Sequence, residues 1–255
     1  MKPKKSLGQN FLKSELALKK IIEAGEIKKD DIILEIGPGR GALTEKLLAT
    51  GCQLIAVEKD RALYEMLKTK YQKQVTGGKL VLVDDDILNF NLESYKLVTT
   101  SYKIIANIPY NITGAILKKF LTEKHQPTSM VLMVQKEVAR RMVAQDGKES
   151  ILSISVKAYG EPKIVMKVPA RYFSPKPKVD SMIISIKNIS RKIFENSGIS
   201  EEKFWEIVKA GFAHKRKKLA SNLKNITSLK GELLVNLGNK RAEDLTLQDW
   251  ILLSK

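Results

Sequence analysis

Five short apolar runs, four of them followed by a stretch of helical periodicity, constrain the fold of this chain more than any other feature. They fall at residues 31–36, 53–57, 79–83, 102–106 and 130–134. Runs this short and continuous read as strands buried on both faces, and parallel strands need a helix to cross between them. The stretches between them meet that need: helices are expected over residues 42–49, 61–72, 114–123 and 135–144, with another over 151–158. Two later runs, 163–168 and 181–187, leave no room for a crossover helix and are expected to pair antiparallel. The fold class is therefore α/β, a doubly wound, mostly parallel Rossmann-like sheet with an antiparallel C-terminal strand. Past Asn188 the strand signal stops. Ser200 with Glu201 and Glu202, and Thr246 with Asp249, mark helix starts. Two domains are expected, residues 1–188 and a small all-α domain over 189–255.

In an open α/β sheet a ligand sits at the carboxyl ends of the strands. The first run ends in Glu35-Ile-Gly37-Pro-Gly39-Arg-Gly41. Glycine lets the backbone approach a ligand, and the helix that follows offers free N–H groups. Glu58 ends the second strand about 20 residues beyond Gly37, the usual place for an acid that bonds ribose hydroxyls. Asp86 follows the third strand, where it can accept from an adenine amine. Gly37-x-Gly39-x-x-Ala42 also satisfies the loose dinucleotide pattern. Two residues favour S-adenosylmethionine over NAD: Asp86, and Glu35, placed to meet a cationic amino group that a dinucleotide lacks. The fourth strand runs into Asn107-Ile-Pro-Tyr110. Pro109 cannot donate to a ladder and biases Ile108 away from helix, so the strand must stop there. The Asn107 side-chain oxygen and the carbonyls beside Pro109 can accept the hydrogens of an exocyclic amine. Tyr110 offers a flat face on which a base can stack, worth about 1–3 kcal/mol.

Lysine and arginine total 45 against 28 acidic residues, a net charge of +17. That excess points to a polyanion, with nucleic acid ahead of an anionic membrane surface. No apolar run approaches the ~20 residues of a membrane span. Residues 1–6 lack the apolar stretch of a signal peptide. One cysteine, Cys52, and two histidines, His125 and His214, argue against a disulfide framework and against a zinc site, and suit a reducing cytoplasm. Candidate phosphate contacts are Lys4, Lys5, Arg140, Arg141, Lys176, Lys178 and the run Lys215-Arg216-Lys217-Lys218. Any one of them alone reads as a solvated surface charge. The run is expected on a helix, where consecutive residues fan outward and only some reach one row of phosphates.

Taken together, four motifs resemble those of the ribosomal RNA adenine N6,N6-dimethyltransferases. Glu35 to Gly41 looks like methyltransferase motif I, and Asn107-Ile-Pro-Tyr110 like motif IV of the adenine-N6 enzymes. Gln9-Asn10-Phe11-Leu12 and the stretch from Phe173 to Ser181 are similar to segments typical of this family. The stretches from Gly211 to Leu223 and from Arg241 to Leu247 look like the C-terminal segments of the KsgA type, which acts on small-subunit rRNA. The Erm type, which acts on large-subunit rRNA and confers antibiotic resistance, is the alternative within the family. A non-catalytic ribosome-assembly factor on the same fold is the rival from another class, and the intact Asn107, Pro109 and Tyr110 argue against it.

The resemblance implies a class I methyltransferase sheet with S-adenosylmethionine as methyl donor. It implies dimethylation at N6 of two adjacent adenosines near the 3' end of small-subunit rRNA, within an assembling ribosomal subunit. By the same resemblance Asn10 and Leu12 fold over the cofactor, Gly37 contacts it, Glu58 takes the ribose and Asp86 the adenine amine. Asn107 lies between cofactor and target, and Tyr110 and Phe173 sandwich a base extruded from its stack. The acting form is expected to be a cytoplasmic monomer, with the helical tail assigned to RNA docking.

Overall fold

The computed structural model describes residues 3–224, 226 and 237–255, with the Lys5 side chain excepted. Its first strand, β1 (Phe11–Leu12), was not foreseen. Helix α1 (Glu15–Gly25) follows, capped by Ser14, whose hydroxyl accepts from the Ala17 amide. The expected strands and helices then follow in order, with only a 3-10 turn, Glu93–Tyr95, in the connection between the third and fourth apolar runs. They are β2 (Ile32–Ile36), α2 (Ala42–Ala49), β3 (Gln53–Glu58), α3 (Arg61–Lys70), a short α4 (Gln72–Thr76) and β4 (Leu80–Asp84). Next come β5 (Tyr102–Asn107), α5 (Thr113–Thr122), β6 (Ser129–Gln135), α6 (Lys136–Met142) and α7 (Ile151–Lys157). Strands β7 (Glu161–Val168), β8 (Phe173–Ser174) and β9 (Ser181–Lys187) complete the β structure.

Seven strands form one sheet in the order β4-β3-β2-β5-β6-β9-β7. The pairs among β2 to β6 are parallel, and β9 runs antiparallel to both β6 and β7. The antiparallel pairing expected for the two last runs is therefore present, with β9 inserted between β6 and β7. Strand order reverses between β2 and β5. The chain leaves β2 toward β3 on one side and returns from β4 to β5 on the other, which creates the crevice where α/β proteins bind ligands. The apolar face of α1, Ala17, Leu18 and Ile21, is buried in one cluster with Ile33, Ile105 and Val131. Truncating a fully buried isoleucine such as Ile105 to alanine would cost about 2–5 kcal/mol.

The molecule divides into two compact units, residues 1–139 with 161–189, and residues 140–160 with 190–255. The expected division near residue 188 therefore differs by one segment, 140–160, which belongs with the helical unit. Polar and aromatic ties explain this. The Glu149 amide donates to the Glu243 carbonyl at 2.8 Å, and Lys148 pairs with the Glu243 carboxylate at 2.8 Å. The Tyr159 hydroxyl donates to Glu201 and accepts from the Trp205 indole at 2.9 Å, while Arg191 holds Glu201 at 3.0 Å.

The rest of the second unit comprises α8 (Lys192–Ser197), α9 (Glu201–Gly211), α10 (Leu219–Leu223) and α11 (Leu247–Leu253). The caps expected at Ser200 and at Thr246 with Asp249 are formed. The part of the expected tail over 227–236 lies outside the described residues. Among the described residues no helix is long and apolar enough to cross a membrane, and no cluster of His, Cys, Asp and Glu could hold a metal ion.

Candidate active site

Strands β2 and β5 pair only as far as Leu34 and Ile104, although β2 continues to Ile36 and β5 to Asn107. Where they part, a cavity of 340 Å³ opens, lined by the Gly-rich turn, Glu58, Asp86, the 107–112 corner and residues 6–13. All of this lies within the first unit. The register of the parallel ladder sets Glu58 opposite Asp84 and Ile36 opposite Val57, so the polar strand ends reach one level.

The turn after β2 depends on glycine. Gly39 has φ 62° and Gly41 has φ 80°, backbone angles that L side chains rarely adopt. A Cβ at Gly39 would come to 3.1 Å from the Phe11 ring, and one at Gly41 to 2.8 Å from the Tyr71 hydroxyl. That hydroxyl donates to the Gly41 carbonyl at 2.8 Å. The Gly37 amide donates to the Val57 carbonyl at 2.9 Å, which joins the turn to the end of β3.

Three carboxylates surround the cavity in different states. Glu58 is buried and accepts from the Gly39 amide at 2.9 Å and the Asp60 amide at 2.8 Å. Burial raises its pKa, and the two amide bonds oppose the rise. A carboxylate has about four acceptor positions, so these two bonds leave capacity for a ligand's hydroxyls. Asp86 is partly exposed, pairs with Lys59 at 2.7 Å and accepts from the Leu88 amide at 3.0 Å. Burial works against its charge, but the Lys59 pair and the amide outweigh burial and hold Asp86 below the usual carboxylate range. Glu35, on the central strand β2, is only 1% exposed, and its Oε2 makes no hydrogen bond. Burial pushes it up to about 8, with Thr44 opposing and the neighbouring Glu58 adding to the rise.

At the opposite corner Asn107 donates through Nδ2 to the Asn10 carbonyl at 3.2 Å. Pro109 takes an extended conformation (φ −60°, ψ 135°), and a short 3-10 turn, Tyr110–Ile112, leads into α5. The Tyr110 hydroxyl bonds the Ser181 hydroxyl at 2.7 Å, so the ring is fixed at its far end. Ser181 carried no signal of this role in the sequence, because the contact spans 71 residues.

Residues 6–13 close the cavity on one side, and Asn10 and Leu12 both line it. Their anchor was missed in the sequence. Asp60 accepts from Lys4 Nζ at 2.7 Å and from Gln9 Nε2 at 2.8 Å, and it caps α3 through the Ala62 amide at 3.1 Å. An acid directly before a helix is a capping signal; nothing local shows that it also holds a segment more than 50 residues away.

Two expected placements need correction. Phe173 does not line the cavity. It is 4% exposed and sits in the apolar cluster with Leu12, Val168 and Ile183, because β8 pairs antiparallel with β1 and sets Phe173 opposite Leu12. The run Lys215 to Lys218 is not on a helix but in the exposed turn between α9 and α10, where Lys218 precedes α10 and donates to Asn239 at 2.9 Å. Of the other cations, Lys4 is committed to Asp60, Arg140 donates to Gln145 at 2.9 Å, and Arg141, Lys176 and Lys178 are exposed. Arg140 and Arg141 belong to the second unit, Lys176 and Lys178 to the first. The Lys5 side chain lies outside the described residues.

The donor set fits S-adenosylmethionine better than a dinucleotide. The buried Glu35 carboxyl, whose Oε2 makes no hydrogen bond, matches a ligand that brings an ammonium, and a dinucleotide has no ammonium. Solved structures place the fold among RNA methyltransferases. A dimethyladenosine transferase from Plasmodium falciparum superposes with a TM-score of 0.80 at 27% identity, covering 95% of each chain. The 23S rRNA methyltransferase ErmE superposes with a TM-score of 0.76 at 25% identity, covering 96% of this chain and 98% of that one.

The chain belongs to the family described as Ribosomal RNA adenine dimethylase, matched over residues 1–255. Curated relatives agree. The Ribosomal RNA small subunit methyltransferase A of Dehalococcoides mccartyi is 40% identical over 257 residues, covering 98% of this chain and 87% of the relative. The protein of the same name from Fusobacterium nucleatum is 39% identical, covering 100% of this chain and 97% of the relative.

Proposed function

We propose that this chain is an S-adenosylmethionine-dependent rRNA adenine-N6,N6-dimethyltransferase of the small subunit. Its targets are two adjacent adenosines near the 3' end of 16S-type rRNA, modified while the subunit is being assembled. The observation that carries this reading is one cavity that joins a ribose-level acid, an amine-level acid and a buried acid whose Oε2 makes no hydrogen bond to the Asn107-Ile-Pro-Tyr110 corner. The curated relatives' names favour the small subunit over the large one.

Glu58 would hold the ribose, Asp86 the adenine amine and Glu35 the amino acid end, with Gly37 giving close backbone approach and Asn10 and Leu12 covering the site. When bound, the cofactor supplies an electrophilic methyl group. The protein's part is placement. The Asn107 side-chain oxygen and the carbonyl beside Pro109 accept the two N6 hydrogens of the target. Those bonds draw the nitrogen lone pair out of conjugation with the ring and aim it along one line. Tyr110, fixed through Ser181, gives the extruded base a face to stack on. Phe173 braces Leu12 from behind instead of forming the opposite face. No side chain is needed as a general base, because the displaced proton can pass to water. Lys176 and Lys178 of the first unit are exposed and would contact phosphates of the RNA.

The acting form in this reading is a monomer, working in the cytoplasm where ribosomes assemble. The test is methyl transfer from labelled cofactor to immature small subunits, to naked small-subunit rRNA and to large-subunit rRNA, with the modified nucleotides mapped afterwards. Dimethyladenosine in small-subunit RNA is the expected product. Modification of large-subunit RNA instead would give the Erm-type activity, and RNA binding without transfer would give an assembly factor.

A further inference from the structure

We infer that the cavity takes up the amino acid end of its cofactor with the loss of one proton from Glu35, whose neutral carboxyl becomes a carboxylate paired with the incoming ammonium. This rests on the reading of the cavity as a site for S-adenosylmethionine. Glu35 lines the cavity from β2 and is 1% exposed, and its Oε2 has no hydrogen-bond partner. Thr44 on α2 is its one polar neighbour, and it opposes the rise in the Glu35 pKa without bringing a charge. No Lys, Arg or His forms an ion pair or hydrogen bond with Glu35 among the described residues.

The titratable groups that face Glu35 make its charge less welcome. Glu58 on β3 carries a second carboxyl that raises Glu35 as a like charge, and Tyr71 and Cys52, both raised first by burial, bring it no cation. A buried carboxylate with no cation beside it is strongly disfavoured, so such a group keeps its proton. Its pKa of about 8 agrees with a neutral form near pH 7. A ligand bearing an ammonium supplies the missing partner and favours the ionised form. The balance is closed: R–COOH and R'–NH3+ become an ion pair, and one proton passes to solvent. Glu58 is also raised by burial, but two backbone amides already hold its oxygens, and its expected ligand is an uncharged ribose.

The test is calorimetry on the whole protein with two ligands. S-adenosylhomocysteine carries the amino acid end and no transferable methyl; 5'-methylthioadenosine carries the same adenosine and no amino acid. Each is titrated at pH 7 in buffers of low and high ionisation enthalpy. For S-adenosylhomocysteine the heat should follow the buffer with close to one proton released. Its affinity should tighten by roughly tenfold per pH unit up to about pH 8 and then level off. For 5'-methylthioadenosine the heat should not depend on buffer. Glu35→Gln should bind S-adenosylhomocysteine with no proton release. Should that variant fail to fold, the two ligands on the wild type decide alone. S-adenosylhomocysteine binding without proton release overturns the inference. Equal release with both ligands also overturns it and assigns the proton to the ribose-level acid. Binding of neither ligand overturns the S-adenosylmethionine reading, and this inference with it.

Discussion

The cavity has two walls built on different principles. One is the row of strand ends, where Gly37, Glu58 and Asn107 stand on a buried parallel ladder and the backbone itself sets their level. The other is the segment 6–13, which pairs with no strand of the large sheet. A two-residue pairing with β8, the Asn107 to Asn10 bond and the contacts of Lys4 and Gln9 to Asp60 hold it in place. The first wall is positioned by many main-chain bonds and the second by a few side chains. A substitution in the first should therefore change chemistry or binding at one point, whereas one in the second should loosen a whole side of the cavity.

The largest effect is expected at the first wall. Asn107→Ala removes an acceptor aimed at the target amine, and loss of one such placed partner lowers the rate on the order of 10²–10³. Because Asn107 meets the second wall only through one 3.2 Å bond to Asn10, cofactor affinity should change little. Single-turnover methyl transfer alongside a cofactor titration checks both parts. A rate near wild type would remove the chemical distinction between the walls.

Glu58→Ala comes next. Its carboxylate holds two backbone amides as well as the expected ribose, so alanine leaves buried donors unpaired. The cost in cofactor affinity should be about 2–3 kcal/mol, and the thermal midpoint should fall too. Unchanged affinity by calorimetry would take Glu58 out of the site.

The same division governs what could be read from the sequence. The first wall is local: an apolar run, a glycine turn and an acid at the next strand end are separated by fixed short distances, and the ladder converts that spacing into position. Gly37, Glu58, Asp86 and Asn107 were legible for that reason. The second wall is long-range. Asp60 serves Lys4 and Gln9 across more than 50 residues, Phe173 meets Leu12 across the β1–β8 pair, and Ser181 holds Tyr110. No periodicity encodes such pairs. Phe173 was misplaced because a motif conveys that an aromatic is present but not that a two-residue strand turns it into the core. The grouping of segment 140–160 with the helical unit was not legible for a similar reason: its ties to Glu243 and Glu201 come from the far end of the chain.

Asp60→Ala tests the second wall as a unit. It removes two side-chain bonds and a helix cap, so stability should fall by about 1–2 kcal/mol. Cofactor affinity should drop while the rate at saturating cofactor stays within a few-fold of wild type. The pH dependence has a definite sign. Burial opposes the Asp60 charge, but Lys4, Gln9 and the Ala62 amide hold its pKa below the usual value. Its contribution is therefore present above the unfolded aspartate pKa of about 3.9 and is lost as pH falls through the lower folded value. The alanine variant should lack this part of the acid unfolding profile. A fall in maximal rate as steep as that of Asn107→Ala would mean that the two walls are not separable.

The smallest effect distinguishes a structural lysine from an RNA-binding one. Lys4 was expected to hold phosphate, yet its ammonium lies 2.7 Å from an almost fully buried carboxylate while its own side chain is about half exposed. A pair with one exposed partner is worth about 0.5–1 kcal/mol, so Lys4→Ala should weaken cofactor binding a few-fold. It should leave the salt dependence of RNA binding unchanged, because that dependence counts phosphates neutralised and Lys4 is already neutralised by Asp60. Lys176 and Lys178 are exposed, and the nearest acid in sequence, Asp180, is paired with Lys167. Replacing either with alanine should leave cofactor affinity alone and reduce the slope of log K against log salt by roughly one unit per lost contact. The two measurements, made on the same three variants, should separate cleanly. If Lys4→Ala lowers the slope as much as Lys176→Ala does, Lys4 leaves Asp60 when RNA arrives, and Gln9 is then the side chain that still ties the second wall to Asp60.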